Sequence, residues 1–269
     1  MLSRRKKKNM KRILCLVLTL LLSGLTNGST VRIIAEDAGE YNLRIGYEVT
    51  NGSELPVGFG LDIRLSNGAT FNSVVSSSTY FPIYPGSVII NPSGEITDYG
   101  TPIANASYPG TLGGIGTSGV TIEMGVMGNP IECCEHGYDP RDFNGDCLLD
   151  LQDLTLLAIH WLEEEMLFLD LNNDGIINLA DYGIFVDGRY DAPPTTIREL
   201  LLFQLNGNGA ETTVVTISEN VIRGGIVSSQ GMLDVILPDP FTVIVPEPAT
   251  VLLLALGSLT LLRKRKNSH

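Results

Sequence analysis

Between Ile13 and Leu262 there is no lysine, and the whole 269-residue chain has one tryptophan, three histidines and four cysteines. Each shortage excludes something. Of 18 basic residues, seven lie in residues 4–12 and four in 263–266, so seven arginines alone oppose the 30 acidic residues over the rest. Contact with a phosphate backbone needs a basic surface, and a nucleic-acid partner is therefore excluded. Histidine chemistry has little to work with: His269 is a tail residue, and His136 and His160 read as solvated or packed side chains. No Gly-x-Ser-x-Gly elbow occurs. "GIGTSG" (residues 114–119) has phosphate-loop glycine spacing but runs into "VTIEMG", a strand pattern rather than a helix, so it reads as a turn. Carboxylate pairs for glycoside hydrolysis would have to come from Asp62, Glu95, Asp98 and Glu123, and nothing selects a pair. The expectation is a non-catalytic structural or binding protein, with a small secreted glycan-active enzyme of glycoside hydrolase type as the alternative.

Apolar runs of the ~20 residues that a spanning helix needs are also missing. At the N-terminus, "RRKKKNMKR" precedes the short run "ILCLVLTLLL" and the small residues of "LTNGS", so residues 1–28 read as a secretory signal peptide. Cys15 falls inside it. The exported chain then keeps Cys133, Cys134 and Cys147, and Cys147 is free to pair with either of the other two. At the other end, "VPEP" leads into "ATVLLLALGSLTLL" and then "RKRK", an apolar segment able to enter a bilayer with its basic end cytoplasmic. This ordered tail, residues 246–269, resembles the PEP-CTERM sorting signal of bacterial envelope proteins. The resemblance implies an exosortase-type membrane protease as a partner, with processing at or near the Pro-Glu-Pro. It also implies a location in the envelope or outside the cell.

The body of the chain reads as mainly β. "YNLRIGYEVT", "GFGLDIRLS", "ATFNSVVSS", "GSVII" and "GVTIEMGVM" are alternating or β-branched runs separated by Gly, Asn, Pro and Ser. After Pro193-Pro194 the pattern resumes with "ELLLFQL", "TTVVTISE", "GGIVSS" and "MLDVILP", a block too small to bury a core alone. The expected fold is one discontinuous β-sandwich, residues 29–135 and 192–245, interrupted by an α module at 136–191. Two separate β domains are the alternative. "ELPVGFGLDIRLSNGATFNSVV" and "LLLFQLNGNGAETTVVTISENVIRGGIV" weakly resemble cohesin-like and carbohydrate-binding sandwiches, which implies a polysaccharide as a partner.

Acid is concentrated in the interrupting stretch. Fifteen of the 30 acidic residues lie between Glu132 and Asp191, opposed only by Arg141 and Arg189. "DFNGDCLLDLQD" (142–153) and "DLNNDGIINLAD" (170–181) repeat one layout at a constant offset of 28 residues. Calcium takes six to eight oxygens, which a twelve-residue loop supplies from positions 1, 3, 5, 7, 9 and 12. The first loop offers Asp142, Asn144, Asp146, the Leu148 carbonyl, Asp150 and Asp153; the second offers Asp170, Asn172, Asp174, the Ile176 carbonyl, Asn178 and Asp181. The expectation is two Ca2+ sites. Gly175 suits the sharp turn at position 6, whereas Cys147 stands there in the first loop, at a cost of ~1–2 kcal/mol if that residue is left-handed. Leu151, Leu154 and Leu157 match Leu179, Tyr182 and Phe185 at the same offset as apolar stripes of two short helices, which Trp161 extends and which would pack face to face.

Residues 138–190 resemble a type I dockerin, a duplicated loop–helix module of EF-hand-like character with Asp at position 12. The resemblance implies attachment to a cohesin domain and a link to polysaccharide catabolic systems. In that family positions 10, 11, 17 and 18 of each unit read the partner, often as Ser-Thr and a basic pair. Here they are Leu151-Gln152, Ala158-Ile159, Leu179-Ala180 and Val186-Asp187. That departure leaves two expected partners: a cohesin-like domain, or the protein's own sandwich.

Overall fold

The computed structural model describes residues 28–134, 137–164, 166, 168–209 and 211–245. The signal segment (1–28, of which only Gly28 is described) and the C-terminal anchor (246–269) otherwise lie outside the described residues. Among the described residues no helix is long and apolar enough to cross a membrane.

The fold is mainly β. Before the acidic stretch come β1 (Thr30–Gly39), β2 (Asn42–Asn51), β3 (Gly58–Leu65), β4 (Thr70–Ser77), the small β5 (Ile89–Ile90) and β6 (Ile96–Asp98), β7 (Gly119–Gly125) and β8 (Ile131–Glu132). Within it lie β9 (Leu148–Leu149) and two helices, α1 (Leu151–Ile159) and α2 (Leu179–Phe185). After it come β10 (Thr196–Asn206), β11 (Thr212–Glu219), β12 (Ile226–Ser228), β13 (Gly231–Met232), β14 (Asp234–Ile236) and β15 (Phe241–Ile244). One sheet runs β14-β1-β2-β10-β4; the other runs β13-β12-β3-β11-β15, with β7 paired along β3. Both sheets therefore draw strands from each side of residues 136–191.

Alternation makes the sheets. In β11, Thr213, Val215 and Ile217 point inward and their neighbours outward, the period of a half-buried strand. Tyr47 of the first sheet lies 5.1 Å from Phe59 of the second, and Phe81 closes the cluster at 5.0 Å from Phe59. The two sheets thus face each other over an aromatic and aliphatic core. "GSVII" is a strand only at Ile89–Ile90; Pro85 opens a 3-10 turn over Pro85–Ser87 instead.

β3 and β7 break the alternation: every residue of β7, and all of β3 but Arg64, is buried. Their inner face supplies Phe59, Leu61, Ile63, Val120, Ile122 and Met124 to the core. Their outer face carries Gly58, Gly60, Asp62, Thr121, Glu123 and Gly125, in cross-strand register. Such a strand is buried on both sides only if something covers it. Helix α2 does so. A Cβ at Gly58 would come 3.1 Å from Leu179, at Gly60 3.2 Å from Leu179, and at Gly125 2.5 Å from Tyr182. The three glycines let the helix approach the sheet closely.

Candidate metal centre

The two twelve-residue loops share one hydrogen-bond network. At position 12, Asp153 Oδ1 accepts from the Phe143 N–H at 2.8 Å and Oδ2 from the Asp150 N–H at 3.0 Å. Twenty-eight residues on, Asp181 Oδ1 accepts from Leu171 at 2.7 Å and Oδ2 from Asn178 at 2.9 Å. At position 1, Asp142 Oδ2 accepts from the Cys147 N–H at 3.0 Å, as Asp170 Oδ2 does from Gly175 at 2.9 Å. Asn144 and Asn172 accept from the N–H at position 5, and Asp146 and Asp174 from the N–H of Leu148 and Ile176. Position 9 caps the helix that follows: Asp150 accepts from Gln152 and Asn178 from Ala180, with Asp153 and Asp181 completing capping boxes.

Backbone signs repeat as well. Position 4 is left-handed in both loops (Gly145 φ 75, Asn173 φ 59), and so is position 6 (Cys147 φ 69, Gly175 φ 95). Cys147 therefore holds a conformation that a side chain disfavours by ~1–2 kcal/mol. It is pinned there by a disulfide to Cys134, across 13 residues. Cys133 keeps a free thiol 3.7 Å from Asp142 Oδ2, and burial with the neighbouring acids pushes that thiol's pKa up.

The loops differ in surroundings. Position 5 is exposed and position 12 buried in both, but positions 9 to 11 are half-buried or exposed in the first loop (Asp150, Leu151, Gln152) and buried in the second (Asn178, Leu179, Ala180). Burial pushes the Asp181 carboxyl up to about 6, and Asp153 shifts in the same direction. Among the described residues, the one group of three acidic, Cys or His ligand atoms within 4.8 Å is Cys133, Cys134 and Asp142, which is the disulfide's own neighbourhood. In each loop the oxygens that would converge on a cation are a mixture of carboxylate, amide and main-chain types. At position 12 the Oδ1 of Asp153 and of Asp181 accepts from two N–H groups and Oδ2 from one, so Oδ2 is the oxygen with a lone pair left for a hard cation.

The helical stripes do not simply meet each other. Phe143 of the first loop stacks on Phe185 at 6.0 Å, but Leu179 and Tyr182 turn to the sheet, where the Tyr182 hydroxyl donates to the Val126 carbonyl. Of the eight positions at issue in the dockerin resemblance, Leu179, Ala180, Val186 and Ala158 are buried; Leu151, Gln152, Ile159 and Asp187 are exposed. Sequence reasoning missed a buried polar cluster beneath the helices. Arg223, fully buried on the turn after β11, donates to Glu123 and to Thr111, and its guanidinium lies 5.4 Å from the Tyr108 ring. Asp62 Oδ1 accepts from Thr121 at 2.7 Å and Asn220 at 3.0 Å. Trp161, just past α1, abuts the same place: a Cβ at Gly86 would meet both its indole and Glu123 Oε2. Glu95 and Asp98 lie apart and exposed, near the β5–β6 hairpin, and His160 pairs with Glu163 at 2.8 Å.

The PEP-CTERM protein-sorting motif matches residues 245–266. It marks an exported, envelope-sorted protein recognised by an exosortase, and it begins at Val245, the last described residue, buried at the end of β15. No curated protein and no solved structure matches the chain.

Proposed function

We propose that this exported, envelope-sorted protein is a non-catalytic binding or structural protein that holds two calcium ions in a dockerin-like module and through it is linked to extracellular polysaccharide. The observation that carries the reading is the duplication: backbone N–H groups grip the same acids at positions 1 and 12 of both loops, 28 residues apart. The first ion would be held by Asp142, Asn144, Asp146, the Leu148 carbonyl, Asp150 and Asp153. The second would be held by Asp170, Asn172, Asp174, the Ile176 carbonyl, Asn178 and Asp181. Bound calcium neutralises clustered carboxylates and fixes the loop that carries them. A non-catalytic role is supported by the fate of the candidate acids: Asp62 and Glu123 are buried and engaged by Thr121, Asn220 and Arg223. The exposed half of the helix surface, with Leu151 and Ile159, is where a cohesin-like domain would dock.

Calorimetry on the full-length protein should find two calcium ions, with Asp142→Ala and Asp170→Ala each removing one. Absence of binding heat up to millimolar calcium would overturn the calcium reading. Retention on polysaccharide without release of reducing sugar supports the binding role; turnover would replace it with the enzyme.

A further inference from the structure

We infer that the two loops are unequal: the second is wired into the sandwich and sets the stability of the whole protein, whereas the first closes locally. This rests on the calcium reading above. Asn178, at position 9 of the second loop, is 2 % exposed and its amide donates to the Ile222 carbonyl at 3.4 Å. The turn it touches approaches so closely that a Cβ at Gly224 would lie 2.6 Å from Asn178 Oδ1 and 2.8 Å from the Ala180 nitrogen; with φ 86, only glycine suits that position. The same turn places Arg223 against Glu123 on the outer face of β7. Its neighbours tie it to β3: Gly60 N–H donates to the Gly225 carbonyl at 2.7 Å, and Asn220 N–H to the Gly60 carbonyl at 2.9 Å. From loop to sheet the path is Asn178, residues 221–225, Arg223 and Glu123, every link a packed or hydrogen-bonded contact.

The first loop has different anchors. Leu149 pairs with Ile131 in a two-residue ladder, and Cys147 is bonded to Cys134. Both are local and need no cation; beyond them the loop touches the second unit through Phe143, stacked on Phe185, and not through the turn that seats Arg223. Its helix reaches the sandwich at Trp161, beyond the loop and against Glu123. Emptying the second loop frees Asn178 and loosens the turn that seats Arg223, so Trp161 loses its packing. Emptying the first leaves the disulfide and the ladder in place.

Trp161 is the chain's single tryptophan and reports this directly. The experiment is a thermal melt of the full-length protein in detergent, followed by Trp161 fluorescence, in calcium and in chelator, for the parent, Asp142→Asn and Asp170→Asn. Because the first loop closes whether or not the sandwich is folded, only the second loop's ion counts toward the melt, and at about 100 times Kd it should raise the parent midpoint by roughly 5–10 °C. Asp142→Asn should keep most of that rise, and Asp170→Asn should lose most of it. Equal losses in the two variants, with calorimetry still counting two ions in the parent, would overturn the inference and leave the calcium reading intact. No ions by calorimetry would sink both. Should Asp170→Asn fail to fold, hydrogen exchange on the parent decides: the Gly60 and Asn220 amides should lose protection in chelator, and unchanged protection overturns the wiring.

Discussion

Replacing Arg223 with methionine removes the charge that faces Glu123 and keeps much of the side chain's volume. Arg223 and Glu123 are 0 % and 1 % exposed, so without Arg223 the Glu123 carboxyl must either carry a charge unpaired in the interior or hold its proton. Breaking a buried pair from one side destabilises by about 3–5 kcal/mol, a large part of the ~5–15 kcal/mol that holds a domain folded. The pH dependence is the sharper test. Burial raises the Glu123 carboxyl from its ordinary 4.5 to about 7, with Arg223 and Trp161 holding it down against a larger shift. A raised folded pKa means that the parent has this contribution in full below pH 4.5 and loses it as pH climbs to about 7, after which the curve is level. Without Arg223 the folded pKa lies higher still, so the variant goes on losing stability above pH 7, by about 1.4 kcal/mol per unit. The gap between parent and variant should therefore be constant from pH 5 to 7 and widen from 7 to 9. Urea unfolding followed by Trp161 fluorescence across that range measures it, and Glu123→Gln should remove Glu123's share of the parent's loss between pH 4.5 and 7, leaving the share of Asp181 and Asp153, whose carboxyls are raised as well. A penalty below ~1 kcal/mol, or one that does not change above pH 7, would refute the reasoning.

Leu179→Ala empties a fully buried position between α2 and the outer glycines of β3, and should destabilise by about 2–5 kcal/mol. Far-UV circular dichroism and Trp161 fluorescence should then report one lowered transition, and two separated transitions would contradict a shared core. Cys134→Ala with Cys147→Gly removes a cross-link across 13 residues, worth about 3 kcal/mol, while glycine at the left-handed position returns about 1 kcal/mol. A net loss of about 2 kcal/mol in urea is expected, and a gain would show that the strain at Cys147 outweighs the cross-link.

What could be read from the chain tracks how local the cause was. Alternation in "TTVVTISE" and "YNLRIGYEVT" comes from one face of a strand meeting the core, and β11 and β2 lie there. The tail was legible because its three features stand in order within a few residues. β1 (Thr30–Gly39) was less so, since "AEDAG" places polar residues over its second half, where most of the residues are exposed or half-buried. The last strand, Phe241–Ile244, is only four residues long, and it is fixed by pairing with β11, some thirty residues back.

The contact between the acidic stretch and the sheet had a signal that periodicity does not weigh. Gly58 and Gly60 stand two apart in "GFGLDIRLS", hence on one face, and glycine on one face of a buried strand marks a close neighbour. What could not be read was the neighbour's identity, because Leu179 and Tyr182 lie over a hundred residues from those glycines and Arg223 still farther. The same distance explains Glu123. In sequence it is one acid among many; its partners come from α1's end and from the turn after β11, and only the fold brings them together. It follows that residues 136–191 share their core with the sandwich. Cut out, they would expose Trp161, Leu179 and Tyr182 to water and lose the Val126 carbonyl that receives the Tyr182 hydroxyl. The apolar faces of their helices are completed by the sandwich, so under the calcium reading proposed above the unit expected to respond to the metal is the whole chain.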